Sequence, residues 1–257
     1  MFGMKSNSLG TKETSDSINV YWAPLLNKNG LEQSNKNIFY KSPKTLFNSL
    51  YGDKTEVVST GTSLFSCPVV SKKMKSTYVF NAPASATYEF EDNKIYLKDS
   101  ETQYVIEMKI LRPPAIENTN IIFYDAEWIF FSEEDLVAEF YQPYLHKTSY
   151  LKDAALMTGE FNIGSWFRPF SIEFMTWEKN GEIQIAEDPL FYVQFKTDKQ
   201  VNLIRFNWSR PLESLKNSCM SHSSLGPNKK PLQFRYNQFK ESGTRDLVLK
   251  EINKEII

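Results

Sequence analysis

Through the middle of the chain apolar residues recur at every second position, in short runs broken by polar clusters. From Thr77 this gives Tyr78-Val79-Phe80, then Tyr88 and Phe90, a turn at Asp92-Asn93, and Ile95 and Leu97, which together predict a hairpin. Gln103 to Leu111 is a further strand, stopped by Arg112-Pro113-Pro114 because proline has no N–H to give a ladder. Ile121 to Phe131 is too rich in β-branched and aromatic residues to prefer a helix. Phe167 to Trp177 alternates, Asn180-Gly181 follows and Glu182 to Ala186 returns. Both turn residues tolerate positive φ, so a type I′ hairpin is expected there. Leu190 to Phe195 and Val201 to Trp208 are the last strands, and Ile18 to Trp22 is the first.

Helical spacing is confined to a few places. Ser42-Pro43 supplies an N-cap and a first-turn proline, and Leu46, Leu50 and Tyr51 follow at helical spacing up to Gly52. Beyond Arg210-Pro211 the period changes again. Pro211 to Met220 and Leu232 to Phe239 are predicted helices, Gly226-Pro227 and Ser242-Gly243 break the pattern, and Leu247, Leu249, Ile252 and Ile256 mark a final helix.

Ser132 to Asp135 has the form of a capping box, which would start a helix at Glu133. An internal echo argues otherwise: Ile129 to Leu136 lines up with Ile183 to Leu190 in its apolar, small and acidic positions, and Pro189 makes the second copy strand, corner, strand. The same reading is extended to the first copy. Strands this short and frequent, without amphipathic helices of crossover length between them, predict a mainly β chain. The expected fold is an antiparallel β-sandwich or jelly roll with short helices and a helical C-terminal appendage. Residues 1–17 read as a flexible polar tail, 18–210 as the β-rich domain and 211–257 as the appendage packed on it.

Composition narrows the possible partners. With 41% hydrophobic residues the chain has ample material for a core. Thirty basic against 31 acidic side chains leave a net charge of −1, which removes the long-range field of a general nucleic-acid binder. Lys72, Lys73 and Lys75 form the densest basic cluster and read as a solvated face. Cys67 and Cys219 lie at no redox or zinc spacing, so a disulfide framework is not expected and each reads as a small buried thiol. No secretory signal or apolar run of membrane length is visible. The expected setting is a reducing compartment, without a membrane and with Asn207-Trp208-Ser209 a chance sequon.

Material for catalysis is sparse. His146 and His222 are the two imidazoles, neither at a metal-binding offset from a carboxylate, so both are expected at the surface or an interface and no metal or cofactor is expected. Nothing resembles a phosphate-cradling glycine loop or a nucleophile elbow. The acidic corners Glu133-Glu134-Asp135 and Glu187-Asp188 could supply a general acid and base if they came within a few ångströms of each other; solvated turn carboxylates are the plainer reading.

The densest unusual segment is Gly159 to Phe170, which gathers Trp166, Phe167, Arg168 and Phe170. Trp166, Arg168 and Phe170 are candidate binding residues, since aromatic residues with an arginine make interface hot spots; a core corner uses the same residues. Phe161-Asn-Ile-Gly-Ser-Trp-Phe-Arg-Pro169, Pro189-Leu-Phe-Tyr-Val-Gln-Phe195, Leu203-Ile-Arg-Phe206 and a closing Ser-Gly-x-Arg before a basic helix resemble an uncharacterised family of marine tailed-phage, cyanophage-like proteins. The resemblance runs from roughly Ser63 to the C-terminus, and that family is itself similar at a distance to a bacterial family of unknown function. It implies a viral source, in host cytoplasm or virion, and brings no functional residue with it. The leading expectation is a non-enzymatic phage protein acting on a viral or host protein. The alternative is a small-molecule-binding or enzymatic domain of double-stranded β-helix type without a standard metal site.

Overall fold

The architecture is that of a computed structural model, which describes residues 16–25, 39–40, 43, 45–46, 67–82, 85–91, 94–100, 108–111, 119–220 and 232–257. Residues 1–15 of the predicted polar tail, the turn at Asp92-Asn93, the stretch 101–107, Gly226-Pro227 and His222 lie outside them, while Ser17, read as the end of the tail, instead opens the first strand through its pairing with Gln200. So does most of the predicted helix after Ser42, although Leu46 is helical and buried.

The chain is mainly β. Its strands are β1 (Ser17–Pro24), β2 (Phe39–Tyr40), β3 (Thr77–Asn81), β4 (Ala86–Glu91), β5 (Lys94–Ser100), β6 (Met108–Leu111), β7 (Asn120–Ser132), β8 (Val137–Tyr141), β9 (Ala154–Leu156), β10 (Gly159–Asn162), β11 (Pro169–Thr176), β12 (Gly181–Ile185), β13 (Pro189–Phe195) and β14 (Gln200–Arg205). A helix, α1 (Pro68–Lys75), leads into β3, and α2 (Arg210–Met220), α3 (Leu232–Glu241) and α4 (Thr244–Lys254) follow the last strand. The first sheet has the order β14-β1-β7-β11-β9, with β6 beside β1 on the same edge of the long β7; the second runs β10-β8-β13-β3-β2, and the third β12-β4-β5. The pairs are antiparallel except β1 with β14, which is parallel.

The first two sheets pack face to face as a β-sandwich, and alternation along the strands explains why. Val20, Trp22, Trp128, Phe130, Phe170, Ile172 and Phe174 of the first sheet meet Phe80, Phe140, Phe191, Val193 and Phe195 of the second in one buried cluster. Tyr88, Phe90, Ile183 and Ile185 of the third sheet join it. The rings are in contact: Phe140 stacks on Phe170 with centroids 3.5 Å apart, Phe80 on Phe191 at 4.6 Å, and Phe80 meets Trp128 edge-on at 4.3 Å. The intervening residues of the first sheet, Tyr21, Ala23, Ile129 and Phe131, point the other way and are covered by Leu212, Phe239, Val248 and Ile252 of the C-terminal helices. A two-sided apolar pattern such as Trp128-Ile-Phe-Phe131 thus belongs to a strand buried on both faces. On the outer face of the second sheet Val79, Tyr141 and Tyr192 lie under Leu46.

Both copies of the internal echo are strand, corner, strand: β7 turns at 133–136 into β8, and β12 turns at 186–188 into β13. The capping box starts no helix, because Leu136 is buried and the corner is tied to the segment after β10. Ile163 N–H donates to the Leu136 carbonyl at 2.9 Å, and Leu136 N–H donates to Asn162 Oδ1 at 3.3 Å.

The predicted hairpin at Asn180-Gly181 does not form. β11 pairs with β7 and β9 in the first sheet, whereas β12 pairs with β4 in the third, so the chain crosses between sheets at residues 177–180. Gly243, before α4, is the glycine with positive φ among those described, at 69°. The requirement at Gly181 is room: it is paired with Phe90, whose ring Cζ would lie 3.1 Å from a Cβ placed there.

Candidate functional site

The segment from Phe161 to Phe170 works mainly on the protein's own interior. Asn162 Oδ1 also accepts from Gly164 N–H at 2.9 Å, Ser165 Oγ donates to Asp135 at 2.9 Å, and a side chain on Gly164 would run into the Glu134 carbonyl. Trp166 is buried, with Tyr236 of α3 edge-on at 5.2 Å, beside a cavity of about 150 Å³ lined also by Cys219, Gln238 and Phe239. Arg168 is half-buried, with its charge acting on Tyr236, whose hydroxyl pKa is raised by burial. Phe170 belongs to the sandwich core, against Phe140 and Phe191. Trp166 and Arg168 therefore share a neighbour under the helices, while Phe170 faces the opposite side of the sheet.

The two acidic corners cannot act as a pair. Both lead into the second sheet, but into antiparallel neighbours: Ala138 at the start of β8 pairs with Phe195 at the end of β13. With a rise of about 3.3 Å per residue, the seven residues of β13 hold the corners about 20 Å apart, well beyond the roughly 5–10 Å of acid–base carboxylate pairs. Four of the five acids are engaged locally. Glu133 accepts from the Tyr21 hydroxyl, Glu134 holds Lys199 at 2.7 Å, and Asp135 holds Lys240. Burial and then the Glu133 contact push Tyr21 up to about 12. Asp188, raised by burial, accepts Ser149 N–H at 2.8 Å.

Two expectations about single residues are corrected. Cys67 is exposed, because Pro68 takes the first position of α1 and leaves the cysteine at the helix's N-cap; the N–H groups of Val70 and Val69 lower its thiol pKa. His146 is buried, just past the end of β8, with Nδ1 bonded to the Tyr192 hydroxyl, and burial lowers its pKa. Among the described residues no three His, Cys, Asp or Glu side chains stand together as metal ligands.

The structure adds a surface that sequence reasoning left as a solvated face. α1 and the 196–199 turn enclose a groove of about 1200 Å³, lined on one wall by Val69, Lys72, Lys73 and Lys75 and on the other by Lys196 and Lys199, among others. The helix forms because Pro68 pre-sets its first φ and three lysines near its C-terminal end suit the helix dipole. Met74 alone of its side chains is buried. Thr77 Oγ1 donates to the Lys73 carbonyl at 2.7 Å, and the Lys73 ammonium lies 4.4 Å from the centre of the Tyr141 ring, so α1 is fixed against the second sheet.

Comparison with protein-family models, with curated proteins and with solved structures gives no match. No helix of the described residues is long and apolar enough to cross a membrane.

Proposed function

We propose that the protein is a non-enzymatic binding protein that works through its outer surface on a protein partner, in the phage virion or infected host cell that the sequence resemblance implies. The filled interior of the sandwich carries this reading. Double-stranded β-helix proteins bind small molecules between their sheets, and here that space holds Phe80, Trp128, Phe140, Phe170 and Phe191, each buried and in ring contact. The wide separation of the acidic corners supports the same reading.

Thermal unfolding with a panel of divalent metals, nucleotides and sugars tests it. A ligand at a hundred times its Kd adds about 2.7 kcal/mol of stability, a visible rise in Tm. The proposal predicts no saturable rise; one produced by a metal or a small molecule contradicts it.

A further inference from the structure

The groove beside α1 carries a charge that the chain as a whole lacks. Among the described residues, five lysines and one aspartate line it, whereas the full chain has 30 basic and 31 acidic residues. The wall formed by the turn is already neutralised: Lys199 is paired with Glu134, and Lys196 with Glu160 and, at 3.7 Å, with Glu139. The helix wall is not. Lys72 reaches Asp198 only at 3.8 Å, with both side chains more than 80% exposed, at 81% and 93%. Such a pair is worth little in water. Lys73 lies on Tyr141, and Lys75 has no acidic partner among the described residues.

Building on the reading that the protein works through its surface, we propose that this groove is the docking site for an acidic protein segment. An extended stretch rich in Asp and Glu places its carboxylates against Lys72, Lys73 and Lys75, while Gln194, Thr197 and Gln200 on the opposite wall offer hydrogen bonds to its backbone. Pro68 and the largely exposed Val69 give an apolar flank to a neighbouring residue.

Shape and chemistry favour a peptide over other anions. The volume of about 1200 Å³ exceeds the roughly 300–1000 Å³ of small-molecule pockets, so a single phosphate leaves most of it wet. Single-stranded nucleic acid is held by aromatic platforms, and phosphates are gripped best by arginine forks; neither side-chain type is found among the described residues that line the groove. Because Glu134, Glu139 and Glu160 neutralise the lysines of the turn wall, a continuous phosphate backbone finds free positive charge along the helix wall alone. A peptide can space its carboxylates to meet that wall.

The test is fluorescence anisotropy with the full chain and three labelled probes: an Asp- and Glu-rich peptide, a single-stranded oligonucleotide and tripolyphosphate. The peptide is expected to bind saturably and more weakly as salt rises. Replacing both Lys72 and Lys75 by Gln weakens binding about three- to tenfold, the range expected for losing two exposed ion pairs. Lys179→Gln, at the exposed 177–180 crossing and not among the residues that line the groove, leaves it unchanged. Both substituted groove lysines are exposed, so circular dichroism stays the same. Absence of peptide binding, an equal effect of the two variants, or tighter binding of either other probe overturns the assignment. The thermal panel separates the two failures: if no small ligand or metal stabilises the protein, the surface reading outlives the loss of this groove.

Discussion

Phe90 lies across Gly181, its partner on the neighbouring strand, so closely that a methyl group on the glycine would stand 3.1 Å from the ring's Cζ. The ring is buried and packs into the common core, so it has little freedom to withdraw. Gly181→Val is therefore expected to destabilise the fold by about 1–3 kcal/mol, the usual range for overpacking. In a Phe90→Leu background the penalty should shrink. Equal penalties in the two backgrounds, read from urea midpoints, would contradict this account of the glycine.

Phe170 and Phe140 stack at 3.5 Å between the two sheets. Truncating either to Ala opens a cavity and should lower stability by about 3–5 kcal/mol. The double variant should fall short of the sum, because the second truncation removes a contact already lost. Additive losses in chemical denaturation would place the two rings in separate environments.

Burial holds the His146 pKa below its ordinary value. In the unfolded chain the imidazole takes up a proton near pH 6.5, while the folded chain resists protonation until lower pH. Stability from this residue is complete above the unfolded pKa and is lost as pH falls from there towards the folded one. His146→Gln should flatten this part of the stability profile. A wild-type urea midpoint as high at pH 5.5 as at pH 7.5, a range spanning the ordinary pKa of about 6.5, would contradict it.

The two thiols should differ in reactivity. Cys67 is exposed and its pKa is lowered by N–H groups at the start of α1, whereas Cys219 is half-buried and its pKa is raised by burial. Thiolate is the reacting form, so iodoacetamide near neutral pH should label Cys67 first. Peptide mass analysis showing equal rates would overturn the placement of Cys67 at the helix N-cap.

Much of the fold was legible in the sequence because local residue pattern marks it: β4 alternates buried and more open positions, and β7 is rich in β-branched and aromatic residues. The hairpin of β4 and β5, the strand over 121–131, the C-terminal helices and the two corners all follow from local pattern, with Pro189 decisive for the second corner. Asn180-Gly181 misled because a glycine that makes room for Phe90 looks the same in sequence as one needed for a positive φ. α1 was missed since a helix that buries only Met74 has almost no apolar stripe, and its local signals were Pro68 at the start and the lysines of its last turn, which read equally as a solvated face. The groove itself was beyond reach: its walls come from residues 68–76 and 194–200, and only the pairing of β3 with β13 brings them together.

Backbone amide shifts followed by NMR during titration with the acidic peptide test the central claim most directly, since they report which part of the molecule meets the partner. The account predicts perturbations concentrated at residues 68–76 and 194–200, with Phe80, Trp128, Phe140 and Phe191 unmoved. Perturbations centred on those core residues, with the groove silent, would contradict it.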